Sequence, residues 1–174
     1  MRLAITAVCR TSQKFLTDLV SAVTNCDCHI IEFRTSQLST TPFCYVLAEG
    51  EWNHIAKLES FLAHFDHNPD ITLHTHRPAQ LAPVEGIAYV LETLSLYRDD
   101  ILQDLFKFIE SHDVHIEEAT SFCHISSYTS SQMLIIRMIV VIRPETRILS
   151  LREELLEFCD NINLDAIFEP VKQH

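Results

Sequence analysis

The sequence predicts an α+β fold of two tandem ferredoxin-like units, each with the element order β-α-β-β-α-β and an antiparallel sheet. The first observation is an internal repeat: segment 27–32 (Asp-Cys-His-Ile-Ile-Glu) returns 86 residues later as segment 113–118 (Asp-Val-His-Ile-Glu-Glu). The second is that the apolar positions upstream repeat at the same offset, as Phe15, Leu16, Leu19, Val20 and Val23 and then Ile101, Leu102, Leu105, Phe106 and Ile109. A chain of 174 residues with this repeat contains two copies of one small unit.

Composition narrows the classes of function. Hydrophobic residues make up 47% of the chain, which is enough to bury a sizeable core. The net charge is -11, from 24 acidic and 13 basic residues, and the basic residues do not cluster. Because phosphate recognition needs clustered Lys and Arg, direct binding of nucleic acid is not expected.

The six cysteines are interpreted as reduced thiols of a cytoplasmic protein, since no signal-like segment opens the sequence. The longest apolar run, about 134–142, is broken by Arg137 and is too short to span a bilayer. We therefore expect a soluble protein with no membrane partner.

The first unit is predicted to begin with a strand at 3–8, whose residues are apolar on both faces, as is typical of a central strand. A polar loop, 9–13, follows, and Thr11 or Ser12 can cap the next helix, which runs to about Thr24.

A turn at 25–27 leads into a predicted hairpin of strands 28–37 and 43–48, joined by a Ser- and Thr-rich segment. Gly50 is expected to supply the unusual dihedrals that the strand exit needs. Trp52 then opens a helix whose apolar residues recur at helical spacing, and a strand at 71–76 follows. The helix stripe is Ile55, Leu58, Leu62 and Phe65.

Pro78 and Pro83 separate two patterned regions, so we place the first domain at 1–77, a linker at 78–85 and the second domain at 86–174.

The second unit is predicted to contain a strand at 87–94, a helix at 99–111, hairpin strands at 115–128 and 132–142, a second helix and a last strand at 165–171. Asp99 and Asp100 suit the positive start of the first helix. Trp52 and Ile55 correspond to Ile148 and Leu151 at an offset of 96, so about ten residues were added between the motif and the second helix. We place this insertion in the hairpin.

Three pieces of the first unit resemble the glycine cleavage system transcriptional repressors of gamma-proteobacteria, a family of tandem ACT domains. They are the strand residues Ile5-Thr6-Ala7, the turn 26–30 (Cys-Asp-Cys-His-Ile) and the segment 50–53 (Gly-Glu-Trp-Asn) with Ile55, Leu58, Glu59 and Leu62 behind it. The resemblance covers nearly the whole chain, although its specific residues lie mostly in the first unit.

This resemblance implies a non-enzymatic regulator without its own DNA-binding domain, which senses glycine and holds a transcriptional activator of the glycine cleavage operon inactive. The acidic charge independently favours a protein partner over DNA. The exposed sheet edges of ACT units commonly pair with another domain, which leaves room for a homodimer. The alternative is an interaction module that has lost ligand binding.

ACT domains usually bind an amino acid where two domains meet, at the loop after the first strand and at the start of the second strand. The resemblance therefore implies a ligand site formed by Arg10, Thr11, Ser12, Gln13, His29, Ile30, Tyr97, Arg98, Asp99 and His115. Helix-start amides and the two arginines are groups that can hold a carboxylate.

The chain departs from the family in these loops. The relatives' Asp-Arg-Pro-Gly is replaced by Thr11-Ser12-Gln13-Lys14, and neither loop carries a glycine that would let a ligand approach the backbone. An Asn that often contacts ligand is His29 in one unit and His115 in the other. The missing loop glycines motivate the alternative of an interaction module.

Metal binding and catalysis are the least favoured hypotheses. The candidate metal ligands are Cys26, Cys28, His29, His64, His67, His74 and His76, but no second Cys pair completes a zinc spacing. Cys28 and His29 are neighbours on a predicted strand and point to opposite faces, so His29 does not activate the thiol. With two glycines there is no phosphate loop, and no cofactor is implied.

Overall fold

The computed structural model describes residues 1–9, 12–36, 43–79 and 82–171. It divides the chain into two compact units, Met1–Leu81 and Ala82–His174. The linker at 78–85 remains a prediction.

Each unit has the predicted order of helices and strands, which confirms the fold class. The first unit consists of β1 (Arg2–Cys9), α1 (Ser12–Asn25), β2 (His29–Ser36), β3 (Phe43–Glu49), α2 (Trp52–Leu62), a 3₁₀-helix (Ala63–His67) and β4 (Ile71–His76). The second consists of β5 (Ile87–Leu96), α3 (Ile101–Ser111), β6 (His115–Ile125), β7 (Gln132–Ile142), α4 (Ile148–Asn161) and β8 (Asp165–Pro170).

The two antiparallel sheets share one topology. Their strand orders are β2-β3-β1-β4 and β6-β7-β5-β8, so β1 and β5 are central, as predicted for β1. Along β1 the buried positions alternate as Leu3, Ile5 and Ala7, and they pack with α1 and α2 in one core cluster. Within each unit the helices cover one face of the sheet, which leaves the opposite face open.

The predicted hairpin insertion is confirmed in part: the hairpin from His115 to Val141 is six residues longer than that from His29 to Glu49, and the other four added residues lie between Val141 and α4. Strands β6 and β7 have eleven residues each, against eight in β2 and seven in β3. The prediction that β6 runs to residue 128 is wrong, because the Ser126 amide donates to the Ser131 carbonyl and the chain turns there. Ser130 takes a left-handed φ of 56° in that turn.

The predicted start of α3 at Asp99 is also wrong by two residues. Asp99 and Asp100 form a turn, and the Asp100 carboxylate accepts from the Arg98 side chain instead of capping a helix amide. Strand β5 extends two residues beyond its predicted end because Leu96 still pairs with Met133 of β7.

The repeated aspartates end α1 and α3. Asp27 and Asp113 have left-handed φ values of 57° and 51°, a conformation that Asp and Asn tolerate better than other side chains. The next amide then reaches back to the helix: Cys28 N–H donates to the Val23 carbonyl at 3.1 Å, and Val114 does the same to Ile109 at 3.3 Å. The Asp of the repeat is therefore explained by helix termination.

Helix α4 ends in the same way, with a left-handed residue followed by a backbone hydrogen bond to the last turn. Asn163 has a φ of 56°, and the Leu164 amide donates to the Cys159 carbonyl at 2.9 Å. Leu164 is buried, as Cys28 and Val114 are at the matching positions. Sequence analysis found two copies of this motif and missed the third, because Asn replaces Asp and no His-Ile follows.

A β-bulge is repeated as well, and the sequence did not predict it. The register of β2 against β3 shifts between Ile30 and Glu32, and that of β6 against β7 shifts between Ile116 and Glu118. The extra residue reverses the alternation of faces along the strand. As a result Ile30 packs against the core, while Glu32 lies opposite Leu47 on the open face.

Gly50 has a different role from the one predicted. Its φ is not in the left-handed region. A Cβ at this position would instead lie 2.9 Å from Cys28 Sγ and 3.4 Å from His54 Cβ. Close approach to the buried Cys28 side chain, and not an unusual dihedral, therefore favours glycine here.

Among the described residues, no helix is both long and apolar enough to cross a bilayer.

Candidate functional site

The loop after β5 is the described part of the predicted ligand site. The Tyr97 amide donates to the Gln132 carbonyl at 2.9 Å, which ties the loop to β7. The Tyr97 hydroxyl donates to Asp99 Oδ1 at 2.6 Å, and this bond raises the pKa of the phenol. Tyr97 is 44% exposed, so the ring remains available at the surface.

Arg98 is held by two carboxylates. Its Nε donates to Asp100 Oδ1, and its Nη2 lies 3.8 Å from Asp104 Oδ2 in the first turn of α3. The hydrogen bond from Arg98 lowers the pKa of Asp100. A ligand carboxylate must displace Asp100 or share the guanidinium with it, which weakens the case for Arg98 as a carboxylate clamp.

The start of β2 and the start of β6 carry the remaining described site residues. His29 and His115 are exposed, whereas Ile30 packs against the core of the first unit. The Ile30 side chain therefore supports the fold and is poorly placed to contact a ligand.

Within the second unit, the two predicted parts of the site lie at opposite ends of the sheet. His115 is opposite Val141, which is opposite Ala88, and Tyr97 follows Ala88 by nine residues. At about 3.4 Å per strand residue, Tyr97 and His115 are separated by roughly 30 Å. One unit alone does not bring these residues together, in line with the resemblance, which places such sites where two domains meet.

Arg10 and Thr11, and the side chains of Ser12 and Gln13, lie outside the described residues.

Buried cysteines with a raised pKa are poorly suited to nucleophilic chemistry. All six lie in the described ranges and are free thiols, and five of them are buried. Burial raises the pKa of Cys44 and that of Cys159 to about 11. Burial also raises the pKa of Cys28, so little reactive thiolate forms near neutral pH.

Both cysteines of the turn at 26–28, Cys26 and Cys28, are buried. The cause is the helix end described above, where Cys28 is the apolar residue that follows the left-handed Asp27. Within the described ranges, no three His, Cys, Asp or Glu side chains come together where they could hold a metal ion.

Sequence analysis missed a groove on the open face of the second sheet. Its volume is about 650 Å³, and its lining combines apolar side chains with carboxylates and one arginine. The apolar members are Leu94, Phe122, Ile135 and Ile167, and the charged members are Glu92, Arg137, Asp160 and Asp165. We call this the open-face groove. The signal in the sequence was the run of apolar residues on both faces of β5 and β7.

Arg137 lines the groove from β7, one of the two inner strands of the sheet. Its Nε donates to Glu92 Oε1 at 3.2 Å, and its Nη1 lies 3.8 Å from Glu118 Oε1. Glu118 reaches this face because of the bulge at Glu117. Glu92 and Glu118 thus offset the positive charge of Arg137. The remaining carboxylates of the groove, Asp160 and Asp165, give it a negative charge.

Comparisons with known proteins identify the architecture. No protein-family model matches the chain, and no curated protein matches it. Among solved structures, a protein from Galdieria sulphuraria described only as unknown matches with a TM-score of 0.74 and 14% identity, over 98% of each chain.

A protein provisionally described as a glycine cleavage system transcriptional repressor matches with a TM-score of 0.73 and 17% identity, over 99% of this chain and 98% of that one. An ACT domain protein from Streptococcus pneumoniae aligns with 49% of this chain at a TM-score of 0.42. The two whole-chain matches show a shared fold, and they confirm at that level the resemblance drawn from the sequence.

Proposed function

We propose that this chain, whose fold matches that of a provisional glycine cleavage repressor over its full length, is a non-enzymatic cytoplasmic regulator. In this proposal it binds an amino acid, glycine by the resemblance, and represses glycine cleavage genes by holding a transcriptional activator. The observation that carries the proposal is the 0.73 TM-score over 99% of the chain, which includes both units.

The charge supports a protein partner. A chain with a net charge of -11 repels the phosphates of DNA, so control of transcription through a second protein fits better than direct contact with an operator.

The ligand residues proposed are those of the two loops and the two strand starts. Arg10, Thr11, Ser12 and Gln13 form the first loop, and Tyr97, Arg98 and Asp99 the second, with His29 and His115 at the strand starts; Ile30 is left out because its side chain packs against the core. Tyr97 and His115 offer exposed polar groups for a small zwitterion.

A ligand switches such a regulator only if it binds two states of the protein with different affinities. Glycine must therefore change the affinity for the activator, and the activator must change that for glycine by the same factor.

One observation favours a second candidate, an interaction module that has lost ligand binding. The guanidinium of Arg98 is already engaged by Asp100 and lies near Asp104, and the Tyr97 hydroxyl is engaged by Asp99. This module binds its partner with an affinity that is indifferent to amino acids.

Isothermal titration of the pure protein with glycine, and then with serine, alanine and a wider amino-acid panel, separates the two candidates. The regulator gives heat with glycine and a raised melting temperature, since ligand at 100 times Kd adds about 2.7 kcal/mol of stability. No heat of binding and no change in melting temperature with any amino acid of the panel would reject amino-acid sensing and favour the interaction module.

A matched pair of variants locates the binding. Arg98→Ala is expected to weaken glycine binding, whereas Arg77→Ala is not. Arg77 is the control because it is also an exposed arginine paired with a carboxylate, that of Glu59, and it is not among the proposed ligand residues. Equal affinities for both variants would remove Arg98 from the site.

A further inference from the structure

The open-face groove crosses all four strands of the second sheet. Phe122 lies on β6, Ile135 on β7, Leu94 on β5 and Ile167 on β8. Three strand spacings of about 4.8 Å give a length of roughly 14 Å across the sheet, which holds between two and three turns of an α-helix at about 5.4 Å per turn.

The floor of the groove is unusually apolar for an exposed surface. Phe122 is 41% exposed, Leu94 40% and Ile167 57%. Such a trough is too open to bury most of a small molecule, as ligand pockets do. Contiguous exposed apolar residues with a polar rim are typical of protein interaction surfaces.

The rim is acidic. Glu92, Asp160 and Asp165 line the groove and Glu118 contacts Arg137 there, so four carboxylates face one guanidinium and the formal charge is -3. A symmetric pairing of two copies through this face would set the two acidic rims against each other. The charge therefore disfavours a second copy and favours a cationic partner.

We propose that the open-face groove docks an amphipathic helix of a partner protein, with apolar residues on one side of the helix and Lys or Arg on its flanks. Such a helix lays its apolar side on Leu94, Phe122 and Ile167. Its cations face Asp160 and Asp165 at one end of the groove.

Phe122 lies in the hairpin that the insertion lengthens, so the first unit has a shorter counterpart of this surface. The inference rests on the proposed function only in assuming a protein partner, and it names the chemistry of that partner.

The experiment uses the full chain and a fluorescently labelled Leu/Lys peptide of about 18 residues, designed as an amphipathic helix. Fluorescence anisotropy measures its Kd at low and high salt. Two control peptides accompany it: one keeps the apolar side but carries Glu in place of Lys, and the other has the Leu/Lys composition scrambled so that no apolar side forms.

Two groove variants are compared with matched controls. Phe122→Gln/Ile167→Gln is expected to weaken binding at least about fivefold, the effect of losing an interface anchor. Leu149→Gln is its control because Leu149 is 74% exposed on α4 and does not line the groove. This control is expected to change the affinity less than about twofold.

Asp160→Asn/Asp165→Asn is expected to weaken binding about three- to tenfold at low salt and less at high salt. Glu153→Gln/Glu157→Gln is its control, since both residues are exposed on α4 outside the groove. Unchanged unfolding midpoints verify that each variant remains folded.

Three results would overturn the proposal. In the first, the groove variants bind the Lys peptide as tightly as the control variants do. In the second, the Glu peptide or the scrambled peptide binds as tightly as the Lys peptide. In the third, sedimentation shows a wild-type dimer that Phe122→Gln/Ile167→Gln converts to monomer, which would make a second copy the occupant. The assay contains neither glycine nor the activator, so its failure is distinct from failure of the sensing function.

Discussion

Gly50 and Cys28 are predicted to be coupled through a single close contact. A Cβ on residue 50 would lie 2.9 Å from Cys28 Sγ, about 0.6 Å or more inside the roughly 3.5–4.0 Å optimum for heavy atoms. Cys28 is only 6% exposed, and its Sγ lies 3.6 Å from the Cys26 carbonyl. The sulfur therefore has little room to move.

The magnitudes follow from this packing. Gly50→Ala is expected to lower the free energy of unfolding by about 1–3 kcal/mol, the usual cost of one extra carbon in a filled core. Cys28→Ala alone removes the buried sulfur and costs about 1 kcal/mol. In the double variant the new methyl group occupies the vacated space, so the two losses should not add. The expected coupling is at least about 1 kcal/mol in favour of the double variant.

Urea unfolding measures the cycle, with far-UV circular dichroism for the whole chain and the fluorescence of Trp52, the only tryptophan, for the first unit. The control cycle replaces Cys28→Ala with Cys26→Ala, because Cys26 is equally buried but none of its atoms is among the three nearest to the new Cβ. The control losses should add. Additive losses in the Gly50 and Cys28 cycle would refute the role assigned to Gly50.

Three further predictions concern local features of the fold. Asp27→Gly should raise the free energy of unfolding by roughly 0.5 kcal/mol, because glycine adopts the left-handed φ of 57° without strain. The control, Asp18→Gly inside α1, should lower it by about 1 kcal/mol. Urea unfolding measures both, and a lower free energy of unfolding for both variants would contradict the role of Asp27 in ending the helix.

Ser95→Ala should leave the free energy of unfolding unchanged or raise it by up to about 1 kcal/mol, because Ser95 Oγ is buried with no hydrogen-bond partner among the described residues. A clearly lower free energy of unfolding would contradict this, since it would show that the hydroxyl makes a hydrogen bond. Hydrogen bonds to the Phe108 carbonyl and to Glu154 raise the pKa of His112, so its stabilisation is complete below about pH 6.5 and disappears as the pH rises through the raised value. His112→Gln should therefore lower the urea midpoint at pH 6 more than at pH 8.5, and an equal loss at both would contradict the pairing.

The fold was largely predictable because the residue patterns that determine it are local in the sequence and occur twice, once in each unit. The repeat at 27–32 and 113–118 combines a helix end, a buried residue and a strand start in six positions, and the structure gives each a role. The 3₁₀-helix at Ala63–His67 was missed because Phe65 continues the apolar spacing of α2. Spacing of three or four residues does not distinguish a tightened turn from a regular one.

The bulges were missed for a related reason. Ile31 and Glu117 follow apolar residues in a strand pattern, and nothing in their identity marks an extra residue in the ladder. Only pairing with β3 and β7 defines the shift, and pairing is not visible in one sequence.

The candidate site was predicted less well than the fold. The ligand residues came from resemblance, which does not show that Asp100 engages Arg98 or that Ile30 is directed into the core. The open-face groove depends on four strands that are adjacent in space but separated in sequence. Residues such as Leu94 and Ile167 had no reason to be grouped until the sheet order was known.

The central claim is that this chain couples an amino acid to a protein partner. The most direct test measures the affinity of the full chain for the glycine cleavage activator encoded in the same genome, with and without saturating glycine. The account predicts that the two dissociation constants differ, and that the activator changes the affinity for glycine by the same factor. Equal dissociation constants with and without glycine would contradict it.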